Sequence, residues 1–361
     1  MEIIKQKQKD AVTVCLSSND KFFNYLVVCI HSIIKNSNSN NFYEIVILEK
    51  DISEGNKEIL KRCEKANISI KFYNVANIFE NLDITFNINY HFSLECYFRI
   101  FIPYIFKKYS KVLYIDCDAI CLTDIANIYN QDLDGNMLGA VKDLIVINRI
   151  CSGIDIDYYC DYLKLKNPYN YFNTGVLLMD IQKLLDFNFV EKSLNLIKEI
   201  VPKYVDQCII NKVVEGNVKF LNLVNNASSA LDELQKYSFD KINLPEELYN
   251  EYQQSIREPV FYHYMSDLKP WKNLNIKNSN YFWQYARETE VYEKILIELM
   301  ANVVSSDDDI IKLINSKYKI KFNYYRSKIL YFLTLGKAHK HYKEKRNCLK
   351  EQVRKIREYS K

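Results

Sequence analysis

The sequence predicts a layered α/β domain: a mostly parallel, nucleotide-binding type of sheet flanked by helices, followed by a helical, basic C-terminal region. Three observations carry this. Short apolar runs alternate with amphipathic stretches over the first 220 residues. Of the 361 residues, 48% are hydrophobic and 26% charged, enough to bury a full core. Only 7 Gly and 6 Pro, against 29 Tyr and 19 Phe, exclude a linker-rich or disordered chain.

The elements follow in order. Ala11–Leu16 reads as a buried strand that ends in the polar cluster Ser17–Asp20. Phe22–Lys35 has helical periodicity and stops at Asn36–Asn40, and Tyr43–Leu48 is a second strand. Ser53 opens a polar helix to about Lys65, and Ile68–Tyr73 is a third strand. Lys111–Ile115 is a strand that runs straight into Asp116-Cys117-Asp118. Met137–Val141 and Gly175–Met179 are further short strands, and Asp186–Ile200 and Val205–Val214 read as helices. Phe261–Tyr264 is strand-like and is closed by Lys269-Pro270-Trp271. These elements predict one catalytic-type domain over 1–285 and a helical, basic region over 286–361.

Several classes are excluded by what the chain lacks. No apolar run approaches the roughly 18 residues of a membrane helix, and Met1–Asp10 has no apolar core of a secretory signal. The 10 cysteines lack metal-site spacing, and Cys15, Cys29, Cys117 and Cys208 lie in apolar runs as buried thiols. A reduced, cytoplasmic protein is expected. Lys317–Lys361 holds 15 Lys and Arg against 3 Glu, so +12 of a whole-chain +4 sits there and the remainder is net −8. Such a tail suits either a solvated helix or a peripheral contact with anionic membrane at its inner face. No nucleic-acid recognition motif accompanies it. The sequons Asn67-Ile-Ser69 and Asn226-Ala-Ser228 carry no weight without a signal peptide.

The strongest local signal is Asp116-x-Asp118. Two carboxylates one residue apart at a strand end point the same way, and ligands bind at such strand ends. Like charges there call for a cation, Mn²⁺ or Mg²⁺, itself bound to a phosphate-bearing ligand. His263 reads either as a satisfied core histidine or as an imidazole ligand to that cation. Lys269, on a loop stiffened by Pro270, is a solvated lysine or a charge for a leaving group. Arg99, amid Tyr97, Phe98, Ile100 and Phe101 on a predicted helix, faces an anion or a carboxylate. Asn173-Thr174-Gly175 leads into a strand, and Gly175 allows a close backbone approach. Asp206 and Gln207 open a helix, where Asp206 also complements the dipole.

Seven motifs in this order resemble glycosyltransferase family 8, over roughly residues 11–275. They are Ser17–Asp20, Ser93…Tyr97-x-Arg99, Asp116-x-Asp118, Leu138-Gly-Ala140…Asp143, Tyr171–Val176, Asp206-Gln207 and His263-Tyr264…Lys269-Pro-Trp271. The resemblance implies a GT-A fold and retaining transfer of glucose or galactose from a UDP-sugar to a glycan such as lipopolysaccharide. It implies that Asp116, Asp118 and His263 ligate Mn²⁺ and that Asn19 and Asp20 contact uracil and ribose, with Phe22 stacking near the base. Arg99, Asp143, Asn173 and Thr174 would contact the donor sugar, and Ser17 and Cys117 complete the donor-binding set within the same motifs. Gln207 would sit beneath the anomeric carbon, and Lys269 would neutralise the departing diphosphate. Many family members carry a carboxylate where this chain has Cys208; Asp206 is the catalytic carboxylate that could substitute for it, but it points elsewhere on its helix. Front-face attack with Gln207 as a dipolar stabiliser therefore follows. The competing reading, kept open by Cys208, is a sugar-nucleotide or glycan-binding module without turnover.

Overall fold

The computed structural model describes residues 11–88, 93–238 and 241–300. A compact unit extends to Ile295, past the boundary expected at residue 285, and a second unit begins at Leu296. Nearly all of that second unit, with the expected basic tail, lies outside the described residues. Among the described residues no helix is long and apolar enough to cross a membrane.

Nine strands are described: β1 (Val12–Ser17), β2 (Tyr43–Glu49), β3 (Ile68–Asn74), β4 (Lys111–Ile115), β5 (Ala119–Cys121), β6 (Leu138–Lys142), β7 (Phe172–Asp180), β8 (Val218–Phe220) and β9 (Phe261–His263). Seven form one sheet in the order β3-β2-β1-β4-β7-β6-β8. The pairs β1 with β2, β2 with β3, β1 with β4 and β6 with β8 are parallel. Only β7 runs against its neighbours, β4 and β6. β1 and β2 are buried along their whole length, which is why they read as mostly apolar runs.

The reversal of β7 decides where the site lies. It sets the start of β7 beside the end of β4, with Ile115 opposite Val176 and the Asp116 N–H donating to Gly175 O at 2.8 Å. Asn173, Thr174 and Gly175 thus lie within a strand that begins at Phe172, three residues before the expected start. A second, two-stranded sheet pairs β5 with β9 antiparallel and sets His263 opposite Ala119, next to Asp118.

The helix Phe23–Asn36 has buried side chains over most of its surface, because it is covered on more than one side. Its Asn36 Nδ2 donates to Cys121 O at 3.1 Å and to Tyr285 Oη at 2.8 Å, while its Ser32 Oγ accepts from the Cys121 N–H at 2.9 Å. The helix, which follows β1 in the chain, therefore holds the small sheet. The helix expected over Asp186–Ile200 runs Phe189–Glu199, and a separate helix, Ile181–Asp186, precedes it, with Asn188 at φ 56° between them. Asn tolerates that left-handed conformation because its short polar side chain bonds locally. The expected helix carrying Arg99 is a 3₁₀ helix, Leu94–Phe101.

Candidate active site

A cavity of about 610 Å³ opens at the ends of β1 and β4, the start of β7 and the loop after β9. That volume lies within the range of roughly 300–1,000 Å³ typical of small-molecule sites. Its wall includes Ser17, Asn19, Phe22, Arg99, Cys117, Asp143, Asn173, Thr174, Asp206, Gln207 and Lys269, together with Asp116, Asp118 and His263. Of the sequence-expected residues, Asp20 is the departure. Its carboxylate turns to the start of the helix Glu54–Lys61, where Oδ1 accepts from the Ser53 N–H at 2.9 Å and from Asn56 Nδ2 at 2.9 Å. The four unsatisfied N–H groups of a helix start attract an acid, and this acid comes from another segment.

Asp116, Asp118 and His263 offer ligand atoms that lie within 4.8 Å of one another. His263 Nε2 is 3.0 Å from Asp118 Oδ1 and 3.9 Å from Asp116 Oδ2. Asp118 Oδ1 is buried, yet no hydrogen bond reaches it. Two carboxylates, one imidazole and an orphaned buried oxygen fit a divalent cation such as Mn²⁺. The other oxygen, Asp118 Oδ2, lies 2.5 Å from Lys269 Nζ, which also donates to Tyr264 O. Burial pushes the Asp118 carboxyl up, but Lys269 and His263 outweigh it and hold it well below the usual carboxylate range.

Arg99 meets carboxylates. Its Nη2 lies 3.0 Å from Asp116 Oδ1 and its Nε 3.0 Å from Asp206 Oδ2, with the guanidinium carbon 4.4 Å from the centre of the Tyr114 ring. Asp206 is buried, and Thr174 Oγ1 donates to it at 3.4 Å. Desolvation outweighs Arg99 here and, with the nearby Asp116 charge, lifts the Asp206 carboxyl from 3.8 to about 7.

Gln207 is held at both ends of its amide. Its Oε1 accepts from the Thr174 N–H and from Asn173 Nδ2, both at 3.2 Å, and its Nε2 donates to Asp143 Oδ2 at 3.1 Å. Asp143 in turn caps the helix Leu144–Cys151, its Oδ1 accepting from the Ile145 and Val146 N–H groups at 3.1 and 3.0 Å. Just before this pair of site residues, Val205 has φ 30°, a strained conformation for a β-branched side chain. Cys208 faces away from the cavity into a cluster with Val146, Tyr159 and Tyr171, its Sγ 3.2 Å from Tyr171 Oη.

Three further features shape the cavity wall. Cys117, expected as a buried thiol, is partly exposed at the cavity wall. Phe22 meets Tyr25 edge-on at 5.7 Å, and Tyr25 stacks on Trp271 at 3.9 Å, forming an aromatic wall. Asn226, buried, approaches His263 Nδ1 to 2.9 Å and donates to Asn173 Oδ1 at 2.8 Å. Its only sequence signal is a sequon.

Comparison with known proteins agrees with this geometry. WbbM, solved as an apo bifunctional glycosyltransferase, superposes with a TM-score of 0.74 and 26% identity over 82% of this chain and 53% of its own. The seven-stranded, mostly parallel sheet with flanking helices is thus the GT-A fold. Glycosyltransferase GlyF of Streptococcus pneumoniae is 27% identical over 77% of this chain and 62% of its own length. Lipopolysaccharide 1,2-glucosyltransferase of Escherichia coli is 24% identical over 79% of this chain and 80% of its own. The chain therefore spans about three-fifths of GlyF and half of WbbM. The sequence profile described as glycosyl transferase family 8 matches residues 13–275, and the chain belongs to that family.

Proposed function

We propose that this chain moves glucose or galactose from a UDP-sugar to a glycan acceptor, lipopolysaccharide or another cell-surface saccharide, with retention of anomeric configuration. The observation that carries this is the meeting, in one cavity, of three metal-ligand atoms within 4.8 Å, a buried Lys269 and a Gln207 hydrogen-bonded at both ends of its amide. The relationship to the Escherichia coli 1,2-glucosyltransferase supports a hexose donor and a lipopolysaccharide-type acceptor.

Asp116, Asp118 and His263 would hold Mn²⁺, which when bound supplies positive charge to the donor's diphosphate. Lys269 is anchored by Asp118 and the Tyr264 carbonyl, so its ammonium is already oriented as negative charge develops on the departing UDP. One oriented contact of this kind contributes about 2.7–4 kcal/mol to lowering the barrier. Phe22 offers a ring to the base. Gln207 cannot rotate without breaking bonds to Thr174, Asn173 and Asp143, so its dipole is fixed before substrate arrives. Asp206 is turned to Arg99, and Cys208 is turned into the core. Neither side chain is free to form a covalent intermediate, which supports front-face attack with Gln207 stabilising the oxocarbenium-like centre.

The test is UDP release from UDP-glucose and UDP-galactose with Mn²⁺, with and without added glycan. One UDP-hexose should be hydrolysed, and Gln207→Ala should slow that hydrolysis about 10²–10³-fold. Undiminished turnover by Gln207→Ala would remove Gln207 from the mechanism. Tight UDP-sugar binding with no release would instead identify a binding module.

A further inference from the structure

We infer that Asn226 is the positioning residue of the metal site: its side-chain amide decides which nitrogen of His263 is turned to the cation, and it joins that imidazole to Asn173. This rests on the metal reading above and deepens it. The polarity of the network follows from groups that have no choice of role. The Gly175 N–H donates at 2.8 Å to the Asn173 side chain, so the receiving atom is the amide oxygen, Oδ1. At its other end the Asn173 Nδ2 faces the Asp143 carboxylate at 3.3 Å, which can only accept. Asn226 therefore presents its NH₂ to Asn173 Oδ1 and its oxygen to His263 Nδ1.

An amide oxygen accepts only, so Nδ1 is the donor nitrogen and Nε2 is the one left to meet a cation. Nε2 faces the two acids, at 3.0 and 3.9 Å. The nearer oxygen, Asp118 Oδ1, has no hydrogen bond. A ring nitrogen set against carboxylates is the arrangement a cation between them requires once it displaces any proton there, and fixing a ligand imidazole through its other nitrogen is a recurrent device of metal sites.

Backbone pairing places the amide. Asn226 ends the 3₁₀ turn Leu223–Asn226, and the next residue bridges β9: the Ala227 N–H donates to Phe261 O at 2.9 Å, and the His263 N–H donates to Ala227 O at 2.8 Å. Asn226 and His263 are both 4% exposed, so bulk water has little access to replace the amide.

The test is Mn²⁺ binding by the full chain, measured by electron paramagnetic resonance without nucleotide, with circular dichroism to check folding. Asn226→Leu removes the acceptor and should weaken Mn²⁺ binding about 10–100-fold. Asn226→Asp keeps an acceptor for Nδ1–H and should bind Mn²⁺ at least as tightly as the unaltered chain, although its bond to Asn173 is lost. Unchanged binding by Asn226→Leu would overturn the inference, and so would an Asn226→Asp as weak as Asn226→Leu. Should Asn226→Leu fail to fold, the Asn226→Asp affinity decides alone. Asp118→Asn separates the two levels. If the unaltered chain binds Mn²⁺ and Asp118→Asn does not, the metal reading stands whatever the Asn226 variants do. If the unaltered chain binds none, the metal reading and this inference fall together.

Discussion

Asp118 and Asp206 border the same cavity and are driven in opposite directions. Both are desolvated, but Asp118 has Lys269 and His263 beside it, whereas Asp206 shares Arg99 with Asp116 and feels that second acid. The Asp206 carboxyl rises from 3.8 to about 7. The folded chain thus holds this proton more tightly than the unfolded chain, so the associated stability is full below about pH 4 and is lost as pH rises to about 7. Asp206→Asn has no such proton. Its stability relative to the unaltered chain should therefore climb by a few kcal/mol over that window and level off above it, as read by urea unfolding at several pH values. A difference that stays constant with pH would show an ordinary acid. At this scale the sequence is half legible. Asp116-x-Asp118 declares itself through spacing alone. Arg99 is legible as a residue facing charge, but its partners, two acids distant in sequence, are not. Asn226 is silent, because an amide acquires its role only from what faces it.

Strand direction and register do what no single residue can. β7 runs antiparallel between β4 and β6, which carries Asn173, Thr174 and Gly175 to the edge where β4 delivers Asp116. The strand cores were legible as apolar runs. The pairing of β5 with β9 was not, because three residues are too few for a periodic signal, yet that pairing sets His263 beside Asp118. Gly175 lies under the imidazole: a Cβ added there would stand 2.3 Å from His263 Cε1 and 2.7 Å from Nδ1. The ring would have to move, since the β7 backbone cannot. Gly175→Ala should cost about 1–3 kcal/mol of stability and should also displace the ring from Asn226 and the two acids. Calorimetric titration with Mn²⁺ checks this, with a loss of at least tenfold in affinity expected. Unchanged affinity would mean that the ring has room the geometry does not show.

Across the whole described unit, the cavity exists because one large sheet and one small sheet converge on it from different parts of the chain, the small one held by the helix Phe23–Asn36. Residues as distant in sequence as Ser17 and Lys272 share its wall. The GT-A architecture was legible from the order of strands and motifs, because alternating β and α segments leave few ways to layer. The fixed polarity of the network linking His263 to Gln207 was not, since it depends on side chains that meet only after folding. The claim on which the rest depends is that Asp116, Asp118 and His263 hold a divalent cation in the cavity that takes UDP. Anomalous diffraction from crystals of the chain grown with UDP and Mn²⁺ tests it most directly. The expected result is one manganese peak among those three side chains, with UDP in the cavity. UDP bound there with no manganese peak among them would contradict it.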